Sequence, residues 1–316
     1  PTLDQKTQWI VFAHEGGIAE QVIDELIGPD ECCIKVEAGD RYEMLTSSHY
    51  RIQPASSSDL QKMLSQIDFD TEIPIRVLHF WNLGRLQTFA LELDTFQDAC
   101  RLGFHTLTKF LQSAHGQQLS SQLTIQIYAD GVSQVDPMLD CLRPENGCLI
   151  GPCLVAPQEI PGLAMRCVDL PTPTTGGYTS DIIERIIDEC RFDESETLTA
   201  IRSDSRYIEK LFDLPEIPKG DTRLRPGGTV IITGGVGGLG ICIAEKLFDS
   251  TKAKLVLTSR WTPPPREEWP HYATQDNKVG RAIQRISRLV ECGAEVLIVK
   301  ADVSNRDDLL RVDAEA

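Results

Sequence analysis

The sequence lacks the long apolar segments that a membrane protein needs. No apolar run approaches the length of about 18 residues that would predict a transmembrane helix, and no charged-then-apolar leader stands at the N-terminus. We therefore expect a soluble, cytoplasmic chain with no membrane partner, cut from a longer polypeptide.

Histidine is scarce, and the cysteines are not arranged for metal binding. The six histidines are scattered singly, and none of the ten cysteines forms a Cys-x-x-Cys pair. These spacings argue against a zinc site, so we expect no metal. Several cysteines stand in apolar runs, which is typical of buried, reduced thiols in a cytosolic protein.

Positive charge is also in short supply. There are 31 lysine and arginine residues against 47 aspartate and glutamate residues, which gives a net charge of −16. Such a surface repels nucleic acid, so we expect no nucleic-acid partner. An anionic ligand would need a local positive site or the N-terminus of a helix.

A glycine-rich turn between a strand and a helix is the most informative feature that is present. The apolar run 228–232 predicts a buried strand, and Ile243, Ala244, Leu247 and Phe248 predict the inward face of a following helix. In this context glycines let backbone amides approach a pyrophosphate at the helix N-terminus. A turn without a ligand is the alternative. The predicted pyrophosphate-binding residues are Thr233, Gly234, Gly235, Val236, Gly237, Gly238, Leu239 and Gly240.

The predicted second strand ends in a basic residue instead of an acidic one. The run 254–258 is followed by Ser259 and Arg260. A carboxylate here would hold the ribose 2′-OH of NADH, whereas a guanidinium pairs with the 2′-phosphate of NADPH. We therefore predict NADPH as the cofactor, with Ser259 and Arg260 at its 2′-phosphate. The alternative is that Arg260 is an ordinary solvated charge. The proline-containing segment 261–277 is predicted to be a loop.

A third predicted strand, 294–300, leads into Asp302 and Val303. The carboxyl end of such a strand lies on the ligand side of an open parallel sheet, where Asp302 and Val303 would contact the adenine. Alternatively, Asp302 caps a helix that starts near Asn305. The sequence leaves both possibilities open.

Together these segments resemble a known enzyme family. The pattern Thr-Gly-x-x-x-Gly-x-Gly at 233–240 is similar to that of short-chain dehydrogenase/reductases. With 257–260, 264–269 and 301–304, it resembles the ketoreductase domain of a modular type I polyketide synthase. The upstream stretch 147–171 is similar to the structural subdomain that precedes such reductases.

The resemblance implies an α/β fold of two Rossmann-like parallel-sheet subdomains, the second incomplete in this chain. The first, over 1–226, would be degenerate and structural, and the second, over 227–316, would be the N-terminal half of an NADPH-binding subdomain. The stretch 214–221 predicts a linker by its Pro and Gly content. A three-stranded half-sheet with open edges needs something further to complete it. The first subdomain is predicted not to bind nucleotide, because the acidic Glu15 follows its first strand beside His14.

The resemblance also implies a reaction. NADPH would deliver hydride to the β-keto group of an acyl chain on an acyl carrier protein, next to other domains of the same synthase. The family's proton donor is a Tyr in a Tyr-x-x-x-Lys pair. None of the six tyrosines here has Lys four residues later, so we predict no catalytic residue in this chain. The alternatives are a pseudo-ketoreductase acting as a structural module and a regulator that senses NADPH.

Two helices are predicted in detail. Thr95 and Asp98 resemble a capping box that opens a helix to Ala114, with His105 on its solvated face. A second helix spans 280–292. Its predicted inward residues are Ile283, Ile286 and Val290. Its basic face, either a solvated stripe or a docking surface, consists of Arg281, Arg285 and Arg288.

Overall fold

The computed structural model describes residues 6–28, 31–83, 93–119, 123–138, 140–173, 177–191, 196–203, 205–214, 223–261 and 264–316. The chain forms two compact units, Pro1–Phe212 and Asp213–Ala316, each with its own sheet. The predicted α/β class is confirmed. From residue 215 on, the predicted linker lies outside the described residues, and the boundary at 226 stays a prediction.

The first unit is built on a nine-stranded sheet. Its strands are β1 (Gln8–Ala13), β2 (Cys32–Ala38), β3 (Glu43–Thr46), β4 (His49–Ile52), β5 (Ile75–Asn82), β6 (Leu123–Asp130), β7 (Ala164–Leu170), β8 (Leu198–Arg202) and β9 (Ser205–Ile208). The order is β3-β4-β2-β1-β5-β6-β7-β8-β9. All neighbours pair in parallel except β3 with β4 and β8 with β9, at the two edges. The sequence predicts β1, β2, β5 and β6 to within one or two residues, but not the antiparallel edges.

Helices cover both faces of this sheet. They are α1 (Ile18–Leu26), α2 (Ser57–Gln66), α3 (Leu93–Cys100), α4 (Thr106–Gly116), α5 (Pro144–Gly147), α6 (Ile150–Glu159) and α7 (Ser180–Arg191). Ile10 and Phe12 of β1 share a core with α2, α4 and α6, whereas Trp9 and Val11 share one with α1 and α7. Because both faces are buried, the central strands are continuous apolar runs, which is why the sequence reveals them.

The helix predicted from Thr95 to Ala114 is interrupted by a π-helical turn at Arg101–His105, between α3 and α4. Thr95 lies inside α3, so the predicted capping box is wrong. Gly103 packs tightly in this turn, since a Cβ there would lie 2.5 Å from the side-chain oxygen of Asn82 at the end of β5. The last residue of the turn is exposed, as predicted. The insertion of an extra backbone residue by the π turn is a local feature that apolar periodicity does not reveal.

Buried charges fill the carboxyl edge of β6, β7 and β8. Nε of Arg143 lies 3.1 Å from Asp130, and Arg202 donates to Asp169 at 2.7 Å and to Asp140 at 2.6 Å. Asp130 and Asp169 are 0% exposed. Open parallel sheets bind ligands at this edge. In the first unit the protein's own ion pairs lie there instead.

Asp130 is expected to make the stability of the first unit depend on pH. Burial raises the pKa of Asp130 from 3.8 to about 6, and Arg143 opposes this only in part. Because the folded pKa is the higher one, the stabilising contribution of the protonated carboxyl is full below about pH 4 and is lost as the pH rises through about 6. Between those values, the free energy of unfolding of wild type relative to Asp130→Asn should fall by about 2–3 kcal/mol. Denaturant titrations of both proteins at several pH values check this. A difference that stays constant with pH would contradict it.

The second unit is a three-stranded parallel sheet in the order β10-β11-β12. Its strands are β10 (Thr229–Ile232), β11 (Lys254–Ser259) and β12 (Val296–Lys300), and its helices are α8 (Gly238–Thr251), α9 (Trp269–Ala273), α10 (Lys278–Glu291) and α11 (Arg306–Glu315). The segment 261–277 is not the simple loop predicted, because it contains α9 and a 3₁₀ turn at Arg266–Glu268. The indole of Trp269 is buried there and donates to Pro264 O at 2.9 Å.

The helices α8 and α10 pack on one face of this sheet. Ala244 and Phe248 are buried as predicted, but Ile243 is 52% exposed, and Ile241 takes the place in the core that was predicted for it. On α10, Ile283 and Ile286 are buried as predicted, whereas Val290 is half-buried beside the fully buried Leu289. The period of the helices is predicted correctly, and the centre of each buried face is shifted by one or two residues.

The strand β10 is an edge strand of the second unit. It pairs with β11 on one side only among the described residues. Ile231 on β10 is 41% exposed, and Leu297 on β12 is 40% exposed. Exposed apolar side chains on an edge strand agree with the expectation that a three-stranded half-sheet needs completion.

Neither a membrane span nor a metal cluster is found in the described ranges. None of their helices is both long enough and apolar enough to cross a bilayer. Likewise, these residues include no group of three or more His, Cys, Asp or Glu side chains placed to hold a metal ion.

Candidate dinucleotide-binding site

The carboxyl ends of β10, β11 and β12 meet at one edge of the second sheet. Parallel pairing aligns Ile232 with Leu257, and Ser259 with Lys300. Two further hydrogen bonds join the loops that follow. Gly234 N donates to Thr258 Oγ1 at 3.3 Å, and Ala301 N donates to Ser259 O at 2.9 Å. The predicted site residues at 233–240, 259–260 and 302–303 therefore stand at the same edge.

The glycine turn delivers the chain directly into α8. Gly234 has φ of +66°, which glycine adopts at little cost, and Gly237 N donates to Gly234 O at 2.8 Å. Gly237 is the N-cap of α8 and has no side chain to cap it, and the first turn of α8 contains no acidic residue. Backbone amides and the positive end of the helix thus face outward without a competing carboxylate. This is the environment that a pyrophosphate requires.

The glycines of the turn have different roles. A Cβ at Gly240 would lie 2.5 Å from Gly234 O, and one at Gly235 would lie 2.7 Å from Ile232 O, so the fold itself needs both glycines. A Cβ at Gly238 meets nothing within 4 Å. The fold therefore tolerates a side chain at Gly238, whereas a group bound at the start of α8 would not. Open space beside uncapped amides fits the pyrophosphate of a dinucleotide.

Arg260 and Asp302 are neighbours on the next two loops. Arg260 is exposed directly after β11, and its charge contributes to the lowered pKa of Asp302. The larger causes of that lowered pKa are hydrogen bonds that Asp302 Oδ1 accepts from the amide and the hydroxyl of Ser304, at 3.0 and 2.7 Å. The Ser259 hydroxyl accepts from Trp261 N at 3.1 Å, which holds it at the start of its loop.

The helix-cap alternative for Asp302 is wrong. The N-cap of α11 is Asn305, whose Oδ1 accepts from Asp307 N at 2.9 Å and from Asp308 N at 3.3 Å. Asp302 instead makes its turn with Ser304, and Val303 next to it is 52% exposed. Contact with adenine stays a prediction for both.

The corresponding loop of the first unit is filled by the protein itself. Glu20 lies in the first turn of α1, and Lys35 Nζ donates to its carboxylate at 2.7 Å. These contacts, with a further hydrogen bond from the backbone of Gly16, lower the pKa of Glu20. A carboxylate that already accepts a loop amide repels a phosphate, which supports the prediction that this loop binds no nucleotide. Glu15 is an exposed turn residue, and His14 Nε2 lies 3.1 Å from Trp81 O.

Arg285 is a contributor that sequence reasoning missed. From α10 it reaches the first turns of α8, where its Nε donates to Glu245 at 2.9 Å and its Nη2 to Cys242 Sγ at 3.2 Å. Its Nη1 also lies 3.4 Å from Gly238 O. Arg281 on the same face pairs with Asp276. Two of the three arginines on the predicted basic face are thus neutralised, which favours a solvated stripe over a docking surface.

The fold and the loop together define the class. A strand, an uncapped glycine turn and a helix, repeated into a parallel sheet, make the second unit a Rossmann-type domain of the kind that nicotinamide-cofactor enzymes use. A family model described as "KR domain" matches residues 228–316. A second, described as "Beta-ketoacyl synthase-like, N-terminal", matches residues 8–172, about half of the chain. The chain belongs to this family and to the ketoreductase region of polyketide synthases.

Curated relatives share the second unit. The chain is 41% identical over 85 residues to a phenolphthiocerol/phthiocerol polyketide synthase of Mycobacterium tuberculosis, which covers 27% of this chain and 4% of that protein. It is 37% identical over 84 residues to 6-methylsalicylic acid synthase of Aspergillus terreus, which covers 26% of this chain and 5% of that protein. The aligned part is thus a small fraction of these synthases.

Solved structures share the fold across both units. A multidomain structure of a keto acid-selecting NRPS module with adenylation, ketoreductase and pseudo Asub domains aligns with a TM-score of 0.76 at 21% identity, over 100% of this chain and 26% of that one. An N-terminal ketoreductase from the macrolactin assembly line aligns with a TM-score of 0.68 at 20% identity, over 99% and 59%. The predicted resemblance to ketoreductases is confirmed.

Proposed function

We propose that this chain is the cofactor-binding part of a β-ketoreductase that reduces the β-keto group of a polyketide intermediate with NADPH. The observation that carries the proposal is the uncapped glycine turn beside an exposed arginine at the end of the neighbouring strand. A structural module has no need of open space at Gly238 together with Arg260 at the same sheet edge.

Each predicted residue has a role in binding. The amides of 233–240 hold the pyrophosphate at the N-terminus of α8. Ser259 and Arg260 take the 2′-phosphate, for which a guanidinium is suited by charge and by paired N–H donors. Asp302 and Val303 take the adenine, with the carboxylate of Asp302 kept ionised by its contacts to Ser304 and by Arg260. NADPH, when bound, supplies the hydride.

The protonating group is proposed to lie outside these residues. Reduction of a ketone needs an acid next to the oxygen that gains charge. No tyrosine of this chain has Lys four residues later. We therefore propose that Tyr and Lys come from sequence beyond the 316 residues, which would also complete the sheet beside β10.

The partners follow from the synthase context. We propose an acyl carrier protein as the donor of the β-keto thioester and the neighbouring domains of the synthase as lasting partners, in the cytoplasm. The second candidate, a pseudo-ketoreductase that serves as a structural module, rests on the absence of a Tyr-x-x-x-Lys pair from this chain.

Two measurements test the proposal. Titration of the 316-residue chain with NADPH, followed by cofactor fluorescence, should give saturable binding. The parent synthase, given a β-ketoacyl thioester and NADPH, should consume NADPH and form the β-hydroxy thioester. Binding without reduction would favour the pseudo-ketoreductase or an NADPH-sensing regulator, and an absence of binding in both proteins would overturn the cofactor assignment.

A further inference from the structure

We propose that Cys100 and Cys148 form a reversible disulfide, which makes them a thiol modification site of the first unit. Their Sγ atoms lie 3.9 Å apart, although 48 positions separate them in the sequence. Both are free thiols in the structure. A disulfide needs the sulfur atoms to approach to about 2 Å, so a small side-chain movement is sufficient. This inference does not depend on the proposed function.

Rigid elements hold the two thiols close together. Cys100 is the last residue of α3, and Cys148 directly follows α5. Both have helical backbone angles, with φ −61° and ψ −39° at Cys100 and φ −62° and ψ −20° at Cys148. The packing of α3 against α5 therefore sets the distance between the sulfur atoms.

The two cysteines differ in accessibility. Cys100 is 8% exposed, whereas Cys148 is half-buried. Burial is the main cause that raises the pKa of the Cys100 thiol to about 11, and Cys148 and Glu145 add to it. An oxidant reacts first with the thiol that it reaches and that ionises more readily. We therefore assign Cys148 as the residue oxidised first and Cys100 as the resolving thiol.

The oxidant is a hydroperoxide, such as hydrogen peroxide. The Cys148 thiolate attacks one peroxide oxygen, the O–O bond breaks, and the leaving hydroxide takes up the thiol proton as water, which leaves a sulfenic acid. The Cys100 sulfur then attacks Cys148 Sγ, the S–O bond breaks, and the hydroxyl leaves with the Cys100 proton as a second water. Two thiols and one peroxide thus give one disulfide and two waters. A dithiol reductant reverses the change by thiol–disulfide exchange.

Peptide mapping tests the proposal on the full 316-residue chain. The dilute protein is treated with hydrogen peroxide, remaining thiols are alkylated, and the chain is cleaved after basic residues and after glutamate. Cys100 then lies in fragment 93–101, and Cys148 lies in fragment 146–159 together with Cys153. Tandem mass spectrometry should find Cys100 linked to Cys148, with Cys153 alkylated in unfolded digests. Treatment with dithiothreitol should restore both thiols.

Matched variants complete the test. Cys148→Ser should abolish the cross-link to fragment 93–101, whereas Cys141→Ser, at an exposed cysteine of the same unit, should leave it unchanged. If Cys148→Ser does not fold, the map of the wild-type chain decides alone. The proposal is overturned if Cys100 and Cys148 stay separately alkylated, if Cys100 links only to another cysteine, or if dithiothreitol does not restore the thiols.

Discussion

Replacing Arg260 with alanine is expected to weaken NADPH binding by about tenfold to a hundredfold and to leave NADH binding nearly unchanged. The estimate corresponds to the loss of charge-assisted hydrogen bonds to one phosphate, about 1.5–3 kcal/mol. NADH lacks that phosphate, so it does not use the guanidinium. Titration of wild type and Arg260→Ala with each cofactor at the same ionic strength measures both effects.

The matched control for this experiment is Arg281→Ala. Arg281 is also an exposed arginine of the second unit, but it pairs with Asp276 just before the start of α10. Its removal changes the net charge equally and should leave the preference for NADPH intact. Equal affinities of the wild-type protein for the two cofactors, unaltered in Arg260→Ala, would show that Arg260 is an ordinary solvated charge.

Gly238→Val is expected to reduce NADPH affinity by more than about a hundredfold without lowering the melting temperature. The space next to Gly238 is open in the protein, so the valine side chain meets no protein atom at its Cβ. It does intrude on the space at the start of α8 where the pyrophosphate is proposed to bind. Valine is tolerated at the first position of a helix, because crowding against a preceding turn is absent there.

Gly240→Ala is the counterpart that separates folding from binding. A Cβ at Gly240 would lie 2.5 Å from Gly234 O and 2.6 Å from Gly235 Cα, and backbone atoms cannot move aside cheaply. We expect this variant to lose about 3 kcal/mol of stability in the second unit. Thermal denaturation of both variants, with cofactor titration, distinguishes them. A stable Gly238→Val protein that binds NADPH normally would show that no phosphate lies at this turn.

Much of the second unit could be predicted because its signals are local. A short apolar run, a glycine turn and a helical period occupy consecutive residues, and Arg260 follows directly on the strand that they predict. The same is true of β1, β5 and β6, whose two buried faces make them continuous apolar runs. The family comparisons agree with these local patterns.

Other features could not be predicted because residues far apart in the sequence create them. The π turn at Arg101–His105 depends on the packing of Gly103 against Asn82, and Arg285 reaches α8 across about 40 residues. Thr258 was predicted only as part of a strand, yet its hydroxyl accepts the amide of Gly234. No local pattern announces such contacts.

By itself, the sequence determined the order of strands and helices, the glycine turn and the type of charge beside it, because those depend on neighbours along the chain. Only the tertiary structure decided which glycine leaves room for a ligand, that Asn305 and not Asp302 caps α11, and that two distant thiols meet. Those outcomes depend on the distances between packed elements, which are set by the packing of the elements against one another.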